Sequence, residues 1–202
     1  MIFRIFIGIV ALLSALLIYD ISKVMLAKHT AYKAEDSYIL GQKDGDLKLV
    51  EFLDYSCRHC QDLHPILTRA LERDGNVRYL IRPVHTGPDT DGTAAGQLVY
   101  AAGRQGKFEM AHNILIENYR PIDDSFITTF AQILQLDEQQ LRSDMQDPEI
   151  EERLIDNIKM LKKLRGNYIP ALLMDGKILF QVADYMPDSD EILSLFNQAR
   201  AL

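Results

Sequence analysis

The chain carries two cysteines, Cys57 and Cys60, three positions apart in the run Cys57-Arg58-His59-Cys60. A bridge that short closes almost no loop and adds little stability, so a disulfide-stapled scaffold is excluded and the pair is spare for chemistry. The run falls where an apolar strand-like segment gives way to helical spacing, which puts Cys57 at a helix N-terminus. There the unpaired backbone N–H groups and the helix dipole favour a thiolate over a thiol. Arg58, and His59 when protonated, add positive charge, so Cys57 is expected to have a depressed pKa. Cys60, one turn further in, is expected to be the buried resolving thiol. The competing chemistry is half a zinc site. Zinc asks for four ligands, and His59, His64, His85 and His112 are scattered without the matching spacing. Redox chemistry is the preferred reading, with no metal and no organic cofactor.

The elements that would hold this pair follow from hydrophobic period. Residues 47–55 form a mostly apolar run that reads as a strand, and 58–73 carry Leu63, Ile66, Leu67, Ala70 and Leu71 at helical spacing. Asp74-Gly75-Asn76 breaks that helix, and residues 77–84 read as a second strand. A loop over 86–92, rich in Gly, Pro and Asp, leads into residues 93–164, which are helical almost throughout. His85 follows the second strand and is within reach of the cysteines, although its spacing does not require that. Gly103-Arg104-Gln105-Gly106 reads as a break between helices, and Glu149, Glu151 and Glu152 as a first turn after Pro148. Two short apolar runs, 171–174 and 178–182, flank Asp175-Gly176-Lys177, a strong hairpin signal, before a helix over 188–201. The order predicts an α/β architecture in which a sheet is interrupted by an α-helical insertion.

The 202 residues are 48% hydrophobic and 25% charged, enough for a substantial core, with a net charge of −7 and no long basic block. That balance argues against a nucleic-acid backbone as partner, which needs clustered Lys and Arg. Residues 5–19 bear no charge and follow Arg4, as in a signal-peptide apolar region. No clean cleavage site follows, because Met25 spoils one small-x-small candidate and His29 the other. Residues 1–27 therefore read as a signal anchor, with Lys23 snorkelling and a cleaved signal peptide as the alternative. Lys23, Lys28 and Lys33 outweigh Arg4 and run against an external C-terminus on charge alone. The body is placed outside the cytoplasm because its chemistry suits an oxidising compartment.

The segment VEFLDYSCRHCQDLHPIL resembles the active-site region of the DsbA-like family of thioredoxin-fold thiol:disulfide oxidoreductases, and the resemblance extends over residues 46–202. It implies a thioredoxin fold with an inserted α-helical domain, preceded here by the N-terminal hydrophobic helix. Residues 47–87 and 165–202 would form the thioredoxin-like domain, 88–164 the insertion and 28–46 a tether with an apolar patch at Tyr38-Ile39-Leu40. By resemblance Cys57 is the exposed nucleophile, Cys60 its partner and His59 the residue that tunes them. Glu51 stands where such proteins bury a carboxylate that assists proton transfer; a solvated strand carboxylate is the equal alternative. Ile169-Pro170 matches the cis-proline that opens the strand against the cysteines and pairs with extended substrate, a trans proline being the other reading. Two departures stand out: Tyr168-Ile169 replaces a small pair, and Arg58-His59 replaces Pro-His, which leaves the potential open. The implied activity is disulfide donation to exported proteins with free thiols, with reoxidation by a quinone-linked membrane partner. The implied place is periplasmic, or otherwise extracytoplasmic, at the inner membrane. Alternatives are a reductase or isomerase and, from another class, an anchored non-enzymatic module that binds peptide or metal.

Overall fold

The computed structural model describes residues 2–35, 38–85, 91–118 and 120–202. The expected 86–92 loop lies outside the described residues over 86–90. The chain opens with α1 (Ile2–Ala31), continues through β1 (Ile39–Gly41), β2 (Leu47–Leu53), α2 (Arg58–Asp74) and β3 (Val77–Pro83). Five helices follow: α3 (Asp91–Arg104), α4 (Phe108–Glu117), α5 (Asp124–Leu134), α6 (Glu138–Met145) and α7 (Pro148–Lys163). The chain returns to the sheet with β4 (Ala171–Met174) and β5 (Ile178–Gln181) and ends in α8 (Ser189–Ala201).

The sheet has the order β1-β3-β2-β4-β5. β2 lies at its centre, parallel to β3 and antiparallel to β4. Both faces of β2 are covered, which is why it reads as a nearly continuous apolar run rather than an alternating one. Leu47, Leu49 and Leu53 share a core with α2, α8 and the inserted helices. Val50 and Phe52 point the other way, into a second core with Met160 and Leu161 of α7 and the end of α1. Glu51 belongs to the first face by strand alternation, the face that α2 and its cysteines occupy. The β4–β5 turn has Asp175 and Gly176 both at positive φ, 48° and 67°, with the Lys177 N–H donating to the Met174 carbonyl at 2.9 Å. That is the backbone a primed hairpin turn requires.

Aspartates cap the later helices: Asp123, Asp137, Asp147 and Asp188 each accept from a backbone N–H of the first turn that follows. Arg104, in the stretch expected as a break, closes α3 and pairs with Asp144, Asp147 and Glu149 at 2.6–2.9 Å. Glu149 thus has a specific cation as well as the helix terminus.

The segment expected as a tether is partly structured. The helix runs past residue 27 to Ala31, where Ala27 and Ala31 are buried in the second core. β1 then adds an antiparallel edge strand to β3, with Tyr38 and Leu40 buried. Arg82 of β3 fixes the end of α1 by donating to the carbonyls of Thr30, Ala31 and Lys33. Tyr32 ties it to the hairpin: its hydroxyl donates to the Leu173 carbonyl at 3.2 Å and accepts from the Gly176 N–H at 2.6 Å. Phe6–Ala31 is long and apolar enough to cross a membrane, with mean hydropathy 2.0.

Candidate active site

The chain passes from β2 into α2 through a turn built by Asp54. Its carboxylate accepts from the Ser56 N–H at 2.9 Å and hydroxyl at 2.7 Å, and its carbonyl accepts from the Cys57 N–H at 3.0 Å. An aspartate that bonds its own backbone two residues on is a standard way to start such a turn. Cys57 becomes the N-cap of α2, at φ −80° and ψ 118°, and is half-buried, while Cys60 is fully buried. Both are present as thiols.

The two sulfurs titrate far apart. Cys57 is lowered to about 6, first because the Cys60 thiol donates to its sulfur, then because the Cys60 and His59 backbone N–H groups do so; burial and the Asp54 charge oppose this. Burial, followed by the interaction with Cys57, pushes Cys60 far above its usual range. Neutral pH therefore finds Cys57 mainly as thiolate above a protonated Cys60. The alkylation rate of Cys57 by iodoacetamide is expected to rise with a midpoint near pH 6; a midpoint at or above pH 8 overturns this assignment.

The positive charge expected from Arg58 goes elsewhere. Its side chain is 81% exposed and turned to Asp62, one helical turn on, with Nε 3.0 Å from the carboxylate. An (i, i+4) pair on an exposed face competes for that guanidinium, and Arg58 is absent from the causes that depress Cys57. His59 has an exposed side chain and reaches the thiolate through its backbone N–H.

Glu51 is 1% exposed, which removes the solvated alternative for this carboxylate. Its partner is the buried Tyr79 hydroxyl, which donates to it across the β2–β3 pair. Burial raises Glu51 to about 7, against the Tyr79 hydrogen bond, which lowers it. Its charge is felt at Cys60, where it is one of the causes that raise the thiol.

On the opposite side of Cys57 lies the start of β4. The Ile169–Pro170 bond is cis, and the Ile169 carbonyl oxygen is 4.0 Å from Cys57 Sγ. Gln181 of β5 fixes the approach: its side-chain oxygen accepts from the Asn167 and Tyr168 N–H groups at 2.6 and 3.0 Å. Tyr168 itself is 58% exposed beside this edge.

Several residues complete the site in ways the sequence does not announce. His85 Nδ1 is 2.8 Å from the second carboxylate oxygen of Asp54, in a largely buried pair behind the cysteine turn. Gly92 of α3 makes room for it, since a Cβ there would stand 2.2 Å from His85 Nδ1 and 2.7 Å from Asp54. The turn chemistry of Asp54-Tyr55-Ser56 is a legible signal for Asp54; the pairing with His85 has none. Deeper in, Tyr55 hydroxyl and His112 Nδ1 are 3.2 Å apart, and burial, aided by the nearby His64, pushes His112 down to about 3. His64 packs edge-on against His112, so it belongs to this core and not to a ligand set. Among the described residues no group of three or more His, Cys, Asp or Glu is placed to hold a metal ion.

A family model described as Thioredoxin matches residues 33–192. A curated relative, the probable disulfide bond formation protein D of Bacillus cereus, is 24% identical over 161 residues, covering 73% of each chain. Among solved structures, a thioredoxin-like oxidoreductase from Silicibacter pomeroyi superposes with TM-score 0.73 at 24% identity, over 84% of this chain and 99% of that one. The thiol-disulfide exchange protein alpha-DsbA2 of Wolbachia pipientis gives TM-score 0.70 at 18% identity, over 88% and 97%.

Proposed function

The chain belongs to the thioredoxin family; we propose that it is a DsbA-like thiol:disulfide oxidoreductase that donates disulfides to exported proteins in the cell envelope, working through Cys57 and Cys60. The observation that carries this reading is the split between a half-buried, low-pKa Cys57 and a buried, high-pKa Cys60 at one helix N-terminus.

In the oxidising direction a substrate thiolate attacks Sγ of Cys57 in the Cys57–Cys60 disulfide. The S–S bond breaks, its electron pair goes to Cys60, and Glu51, poised near pH 7, supplies the proton. A second substrate thiolate then attacks the substrate sulfur of the mixed disulfide and expels Cys57 as its stabilised thiolate. The substrate dithiol is oxidised and the enzyme reduced; a membrane quinone-linked partner restores the disulfide. The edge at Ile169–Pro170, 4.0 Å from Cys57, holds the extended substrate backbone during the exchange. Stabilising Cys57 as thiolate favours the dithiol form and makes the disulfide the more oxidising one.

In this reading α1 is an uncleaved anchor that keeps the enzyme at the inner membrane, facing outward. Support comes from the length and hydropathy of Phe6–Ala31. Further support is that Ala27 and Ala31, which end the two small-x-small candidates and would both be removed by cleavage after Ala31, form part of the folded core.

Equilibration with glutathione tests the direction. A potential near about −120 mV fits a disulfide donor, and one near about −270 mV assigns the pair to reduction instead. Failure to form the disulfide removes the oxidoreductase reading and leaves a peptide- or metal-binding module.

A further inference from the structure

A groove of about 430 Å³ runs between α1 and the catalytic body. One wall is a single face of the helix, with Leu17, Ile21 and Val24 at helical spacing. The other wall is Leu164 after α7, Leu173 of β4 and Leu179 of β5. Toward the outer end of the helix the lining changes to Lys28, Arg165 and Lys177; the single acid of the lining, Asp20, lies between Leu17 and Ile21. Lys177 is engaged, donating to the Ala199 carbonyl at 2.8 Å and standing 3.8 Å from Asp175. Lys28 and Arg165 have no acidic partner among the described residues, and the Lys28 stem lies against Gly176.

Arg165 is placed at a cost. It follows α7 with φ 62°, the left-handed conformation that usually selects glycine at a helix end, although Gly166 is its very next neighbour. A bulky cation kept in a glycine conformation is a backbone outlier of the kind found at ligand sites.

We propose that this groove binds an anionic phospholipid, with an acyl chain along Leu17, Ile21 and Val24 and the phosphate at Lys28 and Arg165. The inference rests on the reading of α1 as a membrane anchor. A hydrocarbon core of about 30 Å takes about twenty helical residues. A span that begins near Phe3 ends near Ser22, leaving Lys28 about 9 Å further out, among the headgroups. Leu17 and Ile21 then lie at acyl depth, Val24 at the boundary and the cations at phosphate depth. This gives a use to lysines that oppose the charge rule for an outward-facing body. A lipid held against both α1 and the hairpin would set the catalytic body at a fixed angle to the membrane.

The test is native mass spectrometry of the full chain released from nanodiscs holding equal phosphatidylglycerol and phosphatidylcholine. The chain is expected to retain phosphatidylglycerol preferentially, and Lys28→Ala and Arg165→Gly each to cut that preference about fivefold. Arg165→Gly relieves the backbone strain, so its loss of lipid cannot be ascribed to misfolding. Equal retention of the two lipids, or a preference unchanged in Arg165→Gly, overturns the inference while leaving the anchor intact. Displacement of the lipid by inorganic phosphate assigns the groove to a soluble anion and also overturns it. A chain that never enters the nanodiscs removes the anchor reading itself.

Discussion

Replacing Cys57 by alanine is expected to abolish thiol-disulfide exchange, by more than about 10³-fold in the oxidation of a reduced peptide, while peptide binding at the Ile169–Pro170 edge survives. Cys60→Ala has a different signature. Without Cys60 the enzyme's own disulfide cannot form. Offered a peptide that carries a disulfide, the Cys57 thiolate attacks it and expels one peptide thiolate. This leaves a mixed disulfide that no enzyme thiol resolves, which accumulates as a non-reducing gel adduct. The same variant also changes the nucleophile, because the Cys60 thiol is the leading cause of the low Cys57 pKa. Its alkylation midpoint is expected to move up from about 6, with the backbone N–H groups of His59 and Cys60 as the remaining support. An unchanged midpoint in Cys60→Ala would place the control of Cys57 in the helix terminus alone. Retained exchange in Cys57→Ala would transfer the chemistry to another centre and remove this pair from the mechanism.

What can be read from sequence divides by range. The order of strands and helices, the Cys57–Cys60 pair at a strand-to-helix junction and the Asp175-Gly176 turn are local patterns, and each is found in the structure. β1 escapes because three residues are too few to display a period. The docking of α1 depends on Arg82 and Tyr32 reaching partners 49 to 144 positions away, which no local pattern encodes. Asp54 and His85 are likewise 31 positions apart and meet only because β2 and β3 run parallel. The burial of Glu51 is invisible for another reason. In a strand covered on both faces, alternation does not tell a carboxylate that faces the core from one that faces water. The Arg58–Asp62 pair, by contrast, has the helical spacing of an ion pair in plain sight. That spacing turns the guanidinium toward Asp62 and leaves the thiolate to the Cys60 thiol and the backbone N–H groups.

Glu51 gives a prediction in which stability and catalysis move in opposite directions. Its pKa is about 7 in the fold against about 4.5 for an ordinary glutamate, because burial penalises the carboxylate. A group whose folded pKa is raised stabilises the fold fully below its unfolded value and loses that contribution as pH rises through the folded one. The wild-type protein should therefore lose on the order of 3 kcal/mol between about pH 4.5 and pH 8 that Glu51→Gln does not lose. Urea unfolding of the reduced proteins at the two pH values measures this, and parallel curves would mean that Glu51 titrates as an ordinary surface acid. Catalysis should respond with the other sign. Glutamine keeps the polar contact with Tyr79 but cannot deliver or take the proton of Cys60, so the exchange step slows by about 10²-fold near pH 7. The inflection near pH 7 should vanish from the rate profile as well. A variant that is more stable at pH 8 yet slower there cannot be explained by damage to the core around Tyr79. It would assign Glu51 to proton transfer at the buried thiol.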